Sequence, residues 1–370
     1  LPKDVGIEWV KNDMYNNMKA AVLLLSAVLL SGCGGKEIPP SETERVTFTT
    51  TAETAAPELA EVPDMHSPVI TLPDEEEPVT ETVTTTVTEA PKEPVGIKEE
   101  LLSGHRFSVS DFPKQVYSNK KLKKAFSDID AICGEYGYSI SFVYKNVITG
   151  AACAYNENRY YGCCSTIKVP FCKSLLAKGI DLDEKVTIND LWIPLAGTVA
   201  ESGYGSQFTA RELIKLAVTE SDNSAYLNLV NKYGFYDFND MNNELGVGYY
   251  LGYGYIFNEC TAADLLKEYE DVFWYANDTK RGDWLIRLMQ QTEHETQITA
   301  QLSDKYPVSH KYGSDWDQMC YHDCAICYAD LPFVLVIMTE QIPETHESDE
   351  VFHRLAEQFD IINEQLVSEE

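Results

Sequence analysis

Positive charge is scarce in these 370 residues: 29 Lys and Arg stand against 59 Asp and Glu, a formal net charge of −30. With no basic stripe to set against that excess, nucleic acid is excluded as a partner. Long apolar runs are scarce too. The longest, Ala20 to Leu30, is too short to cross roughly 30 Å of hydrocarbon as a helix. Ten cysteines stand at positions 33, 133, 153, 163, 164, 172, 260, 320, 324 and 327. They lack the regular spacing of a small disulfide framework, so a disulfide scaffold is not expected. There is no internal repeat, which removes repeat architectures.

What is present begins with that apolar run. It follows Met18-Lys19 and ends in Leu30-Ser31-Gly32-Cys33, the length of a signal-peptide apolar region. The final tetrad resembles the bacterial lipoprotein processing site. That resemblance implies a signal over residues 18–33, lipidation at Cys33, and a protein anchored on the extracytoplasmic face of a bacterial cell membrane. Residues 1–17 open on Leu and read as upstream sequence or a misassigned start.

Residues 34–97 form a Thr-, Pro- and Glu-rich stretch; positions 36–97 hold 14 acidic against 3 basic side chains. Such a segment buries too little apolar surface to offset its ordering entropy, so an extended, self-repelling tether is expected. The folded unit is then residues 98–370.

Within it, Lys120 to Tyr136 has helical spacing, with Leu122, Phe126, Ile129 and Ile132 on one face, and strands are expected at 138–144 and 151–155 around a turn at 146–150. A helix over 166–178 stops at Gly179. Residues 181–305 are mainly helical in pattern, with capping boxes at Thr209/Glu212 and Thr261/Asp264. Strands at 308–312, 322–328 and 333–339 and a helix at 348–366 close the chain. The order implies an α+β fold: an antiparallel five-stranded sheet built from both ends of the chain, flanked by terminal helices, plus an inserted all-helical lobe. The cleft between them is where a site is expected.

Three short motifs carry the chemistry. Ser165-Thr-Ile-Lys168 places a hydroxyl and an amine three residues apart on a helix. A helix N-terminus also offers free N–H groups to developing negative charge. Ser118-Asn-Lys-Lys121 has the same spacing but stands in a lysine cluster and reads as a solvated face. Ser221-Asp222-Asn223 ends the helix begun at Thr209, and Lys311-Tyr312-Gly313 ends the first strand after the insertion. A second Lys-Tyr-Gly, Lys232 to Gly234, reads as a helix end.

The ordered set resembles that of class A β-lactamases and penicillin-binding proteins, and the similarity extends over residues 118–366. The resemblance implies Ser165 as acylated nucleophile, Lys168 as base or relay, Ser221 as proton donor to the leaving nitrogen, and Asn223 as holder of the substrate amide. It further implies Lys311 as positive potential for a substrate carboxylate, aided by Tyr312 and Gly313, and the N–H groups of Ser165 and Ser314 as oxyanion donors. Asp222 is expected to be structural. The implied substrates are β-lactams or D-alanyl cell-wall peptides, for a monomer without cofactor or metal. A D-alanyl-D-alanine peptidase with poor β-lactam turnover and a non-hydrolytic module sensing cell-wall fragments are the alternatives.

Two departures stand out. Tyr312 replaces the family's Ser or Thr; its phenol either serves the substrate or turns into packing. The loop Gly246 to Cys260 looks shortened and holds Glu259 as its one carboxylate, which reads as a surface or capping residue more readily than as a deacylation base. Cys163 and Cys164 adjoin the nucleophile and are expected to pack as small apolar residues, a redox switch beside Ser165 being the alternative. Cys320, His322, Cys324 and Cys327 would make a metal set only if Cys324 and Cys327 shared a strand face, which their spacing denies. The tyrosine-rich run 249–255 is expected to line the cleft.

Overall fold

The computed structural model describes residues 104–113, 119–342 and 344–367. Residues 1–17, the expected signal with Cys33, the 34–97 tether and Ser118 lie outside the described residues. Its elements are β1 (Ser108–Ser110), α1 (Lys120–Tyr136), β2 (Ile140–Asn146), β3 (Ala152–Tyr155), β4 (Tyr160–Gly162), α2 (Lys168–Lys178), β5 (Lys185–Thr187) and α3 (Thr198–Ser202). They continue with β6 (Gln207–Thr209), α4 (Ala210–Thr219), α5 (Asn223–Tyr233), α6 (Tyr236–Leu245), β7 (Glu259–Thr261), α7 (Ala262–Asp278), α8 (Lys280–Met289) and α9 (Ile298–Leu302). The last four are β8 (Val308–Asp315), β9 (Cys320–Cys327), β10 (Phe333–Thr339) and α10 (Asp349–Val367).

The main sheet is antiparallel, in the order β1-β3-β2-β10-β9-β8. It thus has six strands rather than the expected five. The extra one, Ser108–Ser110, pairs with β3 at the edge; three residues of Ser-Val-Ser carry too little periodicity to announce a strand. At the centre, β10 is buried at every position. Phe333, Leu335 and Ile337 face α1 and α10, while Val334, Val336 and Met338 face the inserted lobe. Such a two-sided strand reads as a continuous apolar run rather than an alternation.

The terminal helices cover the first face. Asn119 caps α1 by accepting from the N–H groups of Lys121 and Leu122, and Leu122, Phe126, Ile129 and Ile132 are all buried. From α10, Phe359 stacks on Tyr144 of β2, ring centroids 5.1 Å apart. The phenol of Tyr144 finds Asn363 at 2.7 Å, so its polar end is satisfied inside the core.

The inserted lobe is mostly helical but not wholly so: β5 and β6 form a two-stranded ladder, and β4 pairs with β7. Of these, β6 and β7 immediately precede the capped helix starts, where extended N-cap residues can pair before the helix begins. Both capping boxes form, at Thr209/Glu212 and Thr261/Asp264. No helix among the described residues is long and apolar enough to cross a membrane.

Candidate active site

The three motifs meet between β8 and the lobe. Ser165 does not open an α-helix as expected: it lies in a 3₁₀ turn, Cys164–Ile167, with α2 beginning at Lys168. The turn is tied down on several sides. Thr166 donates its hydroxyl to the Cys163 carbonyl at 2.5 Å, Tyr269 of α7 donates to the Thr166 carbonyl at 2.9 Å, and the Cys163 N–H donates to Asn258 at 2.8 Å. Against this turn runs β8, and a Cβ added at Gly313 would stand 2.9 Å from the Ser165 nitrogen. Glycine is needed there because the two backbones touch. The neighbouring Ser314 is carried on the same edge strand.

Lys168 is fully buried. Its Nζ donates to the Ser221 carbonyl at 2.6 Å, to Ser221 Oγ at 3.3 Å and to Asn223 Oδ1 at 2.6 Å. No hydrogen bond joins it to Ser165, whose hydroxyl is unpartnered among the described residues. The three acceptors on Ser221 and Asn223 hold the amine on their side, so the expected hydrogen bond between amine and hydroxyl is not made in this state. Burial pulls the Lys168 ammonium down to about 7, against a smaller opposing effect of Asp222.

Ser221 sits at φ 56° between α4 and α5, a left-handed conformation that turns its carbonyl and hydroxyl together toward Lys168. Asp222 holds that bend: its carboxylate caps α5 at the Ala225 N–H, 2.8 Å, and accepts from the Val199 N–H, 2.9 Å. The structural role expected for it is what the contacts show.

Lys311 is equally buried, and burial together with the charge of Lys168 pushes its ammonium well below the ordinary lysine value. Its Nζ donates to the Tyr312 carbonyl at 3.0 Å and lies 4.1 Å from the centre of the Tyr312 ring. That ring also packs on His294, centroids 3.9 Å apart, and its phenol faces the Ser221 side chain. Burial and Glu344 push the phenol up to about 12. Of the two expectations for Tyr312 the contacts show packing: its ring lies between His294 and the Lys311 ammonium and covers that cation beside the site.

Glu259 is exposed on β7 opposite Gly162, while the helix cap beside it is Thr261. What the 246–258 loop brings toward Lys168 is Phe257, whose ring centre is 5.8 Å from Nζ. Behind the loop lies a carboxyl that sequence reading missed, Glu268. It is fully buried, accepts from the Tyr249 phenol at 2.7 Å, and is raised to about 8 by burial. Only its place on the buried face of α7 could have marked it. The other tyrosines of the run diverge: Tyr253 with Gly252 and Gly254 helps line a cavity of about 380 Å³ with Trp192, Phe235 and Phe257.

The four-residue metal set is not assembled. Cys324 faces the lobe and Cys327 the terminal-helix core. Cys164 instead joins Cys320 and His322, their ligand atoms within 4.8 Å of one another.

Solved structures share this architecture at low identity. A mutant of PBP-A, as an acyl-enzyme complex with penicillin-G, is 20% identical with a TM-score of 0.59 over 66% of this chain and 97% of its own. A β-lactamase from Chitinophaga pinensis is 19% identical with a TM-score of 0.55, over 65% of this chain and 98% of its own. An ancestral class A β-lactamase is 18% identical with the same TM-score, over 63% and 98%. The fold is thus β-lactamase/transpeptidase-like. None of the curated proteins matches. A model of the β-lactamase enzyme family matches residues 122–365, the sheet, the lobe and all three motifs together, and the chain belongs to that family.

Proposed function

We propose that the chain is a serine hydrolase that forms an acyl-enzyme on Ser165 with β-lactams or D-alanyl peptides, and releases the acyl group slowly. The observation that carries this reading is Lys168: a buried amine brought down to about 7, bonded to Ser221 and Asn223, one turn from an unpartnered hydroxyl. In its neutral form it takes the Ser165 proton as the hydroxyl attacks the substrate carbonyl. The oxyanion then falls to the N–H groups of Ser165 and Ser314. Ser221 relays the proton to the leaving nitrogen, Asn223 holds the substrate amide, and Lys311 with Gly313 receives the carboxylate end once the Tyr312 ring moves aside.

Hydrolysis of the ester needs a base poised over a water. Glu259 points to solvent, Glu268 is sealed away and protonated at neutral pH, and Phe257 occupies the ground near Lys168. This favours the peptidase-like reading with poor β-lactam turnover over efficient antibiotic destruction. A lipid anchor at Cys33, placing a monomer at the extracytoplasmic face of the membrane, belongs to the same proposal; it rests on the Leu30 to Cys33 tetrad.

The test is the intact mass of the protein mixed with a penicillin, followed from seconds to hours beside loss of free drug. A persistent adduct on Ser165, absent in Ser165→Ala, with little drug loss is expected. Rapid drug loss with at most a transient adduct would overturn slow deacylation; no adduct at all would overturn the nucleophile.

A further inference from the structure

One cluster of reactive side chains beside the cleft has no part in acyl transfer. Cys164 immediately precedes Ser165 at φ 49° and donates its thiol to the Gly162 carbonyl at 3.3 Å. Cys320 opens β9 opposite Asp315 and has the Gln318 carbonyl at 3.8 Å. His322 stands beside both. Its Nδ1 accepts from the Thr339 N–H at 3.0 Å, which puts the ring proton on Nε2, and Nε2 donates to the same Gly162 carbonyl at 2.9 Å. A ring engaged at both nitrogens has no lone pair left for a cation, so the cluster reduces to two free thiols.

We propose that Cys164 and Cys320 are an oxidisable thiol pair that a peroxide closes into a disulfide directly behind the nucleophile. Their sulfurs lie within 4.8 Å of each other and must draw together to a bond of about 2.05 Å. The neighbouring Cys164 side chain brings the Cys320 thiol below the usual thiol range, against the effect of burial, while Cys164 itself is held well above it. One attacker and one resolving thiol result. The Cys320 thiolate attacks a peroxide oxygen, the O–O bond breaks, and a sulfenic acid and hydroxide form. The Cys164 sulfur then attacks the sulfenic sulfur; the S–S bond forms, the S–O bond breaks, and the oxygen leaves as water with the remaining protons. Two thiols and one peroxide give one disulfide and two waters. Cys320 is buried beneath a shallow surface depression lined by Ser314, Trp316 and Met319, so these residues must give way for a small oxidant to reach it.

The bond would tie the Ser165 turn to β9. Cys164 Cβ lies where a Cβ on Gly313 would meet it at 2.9 Å, so movement of Cys164 shifts the turn, with the Ser165 N–H, against the strand that bears the Ser314 N–H. This consequence rests on the function proposed above; the linkage itself does not.

The experiment treats the full chain with hydrogen peroxide and maps disulfides by peptide mass, beside wild-type, Cys164→Ser and Cys320→Ser proteins. A 164–320 linked peptide, reversed by dithiothreitol and missing from both variants, is expected. Penicillin labelling of Ser165 should change by about tenfold on oxidation of wild type and stay level in Cys320→Ser, since displacements near 1 Å at a reacting centre have effects up to about a hundredfold. Linkage without any change in labelling would overturn the coupling to the nucleophile and leave the thiol pair standing. Oxidation of Cys320 to sulfinic acid without linkage would overturn the pair. Stoichiometric protection of both thiols by added zinc would replace it with a metal site.

Discussion

The two faces of the central sheet solve opposite problems. Toward α1 and α10 the interior is aromatic and aliphatic, and it pairs polar groups within itself: Tyr144 with Asn363, and His310 with Asp323 at 2.9 Å. Toward the lobe, two ammonium groups, Lys168 and Lys311, are fully buried, and neither forms an ion pair among the described residues. Burying a cation without a carboxylate costs stability, and the cost appears as lowered affinity for protons. One face is built to hold, the other to hold a proton loosely.

The contrast is broken most severely at Lys168. Lys168→Met should lower the rate of Ser165 labelling by about 10³-fold or more without unfolding the protein, as read by intact mass beside circular dichroism. On the opposite face, Phe359→Ala removes a buried ring and should cost about 3–5 kcal/mol in chemical denaturation, while labelling per folded molecule stays unchanged. If Phe359→Ala slowed labelling of the folded fraction, the division of labour between the faces would fail.

Glu268 sharpens the comparison through pH. Its folded value, about 8, lies above the ordinary carboxyl value of 4.5. Its contribution is therefore fully present below 4.5 and is lost as pH rises through about 8. Glu268→Gln should flatten the decline of stability over that window by on the order of 1–3 kcal/mol, measured as denaturation midpoints at pH 5 and pH 8. Tyr312→Thr, which uncovers Lys311, should raise the penicillin acylation rate by about tenfold, roughly the 1.4 kcal/mol of a recovered hydrogen bond to a carboxylate. An unchanged rate would mean that the ring is no obstacle.

The holding face was the more legible. The helix at 120–136 and the strand at 333–339 coincide with their expected limits because the one carries an apolar stripe at helical spacing and the other an unbroken apolar run buried on both sides. The strand Ser108–Ser110 and the short two-stranded ladders of the lobe were missed because tertiary pairing, not local pattern, makes them. At the site, the motifs located Ser165, Lys168, Ser221, Asn223 and Lys311, which do converge. Spacing could not foretell the 3₁₀ turn at Ser165 or the hold of Ser221 and Asn223 on Lys168, nor Phe257 and Glu268, which come near the site only through tertiary packing. Cys164 read as a packing residue because its partner, Cys320, lies far along the chain.

The account rests on a buried amine that is neutral near physiological pH, and the most direct measurement is the pH dependence of the second-order rate of Ser165 acylation by a penicillin. With Lys168 at about 7, the rate should be low where the amine is protonated and rise to a plateau through a midpoint near pH 7. A midpoint near the ordinary lysine value of 10.5, or a rate independent of pH, would contradict it.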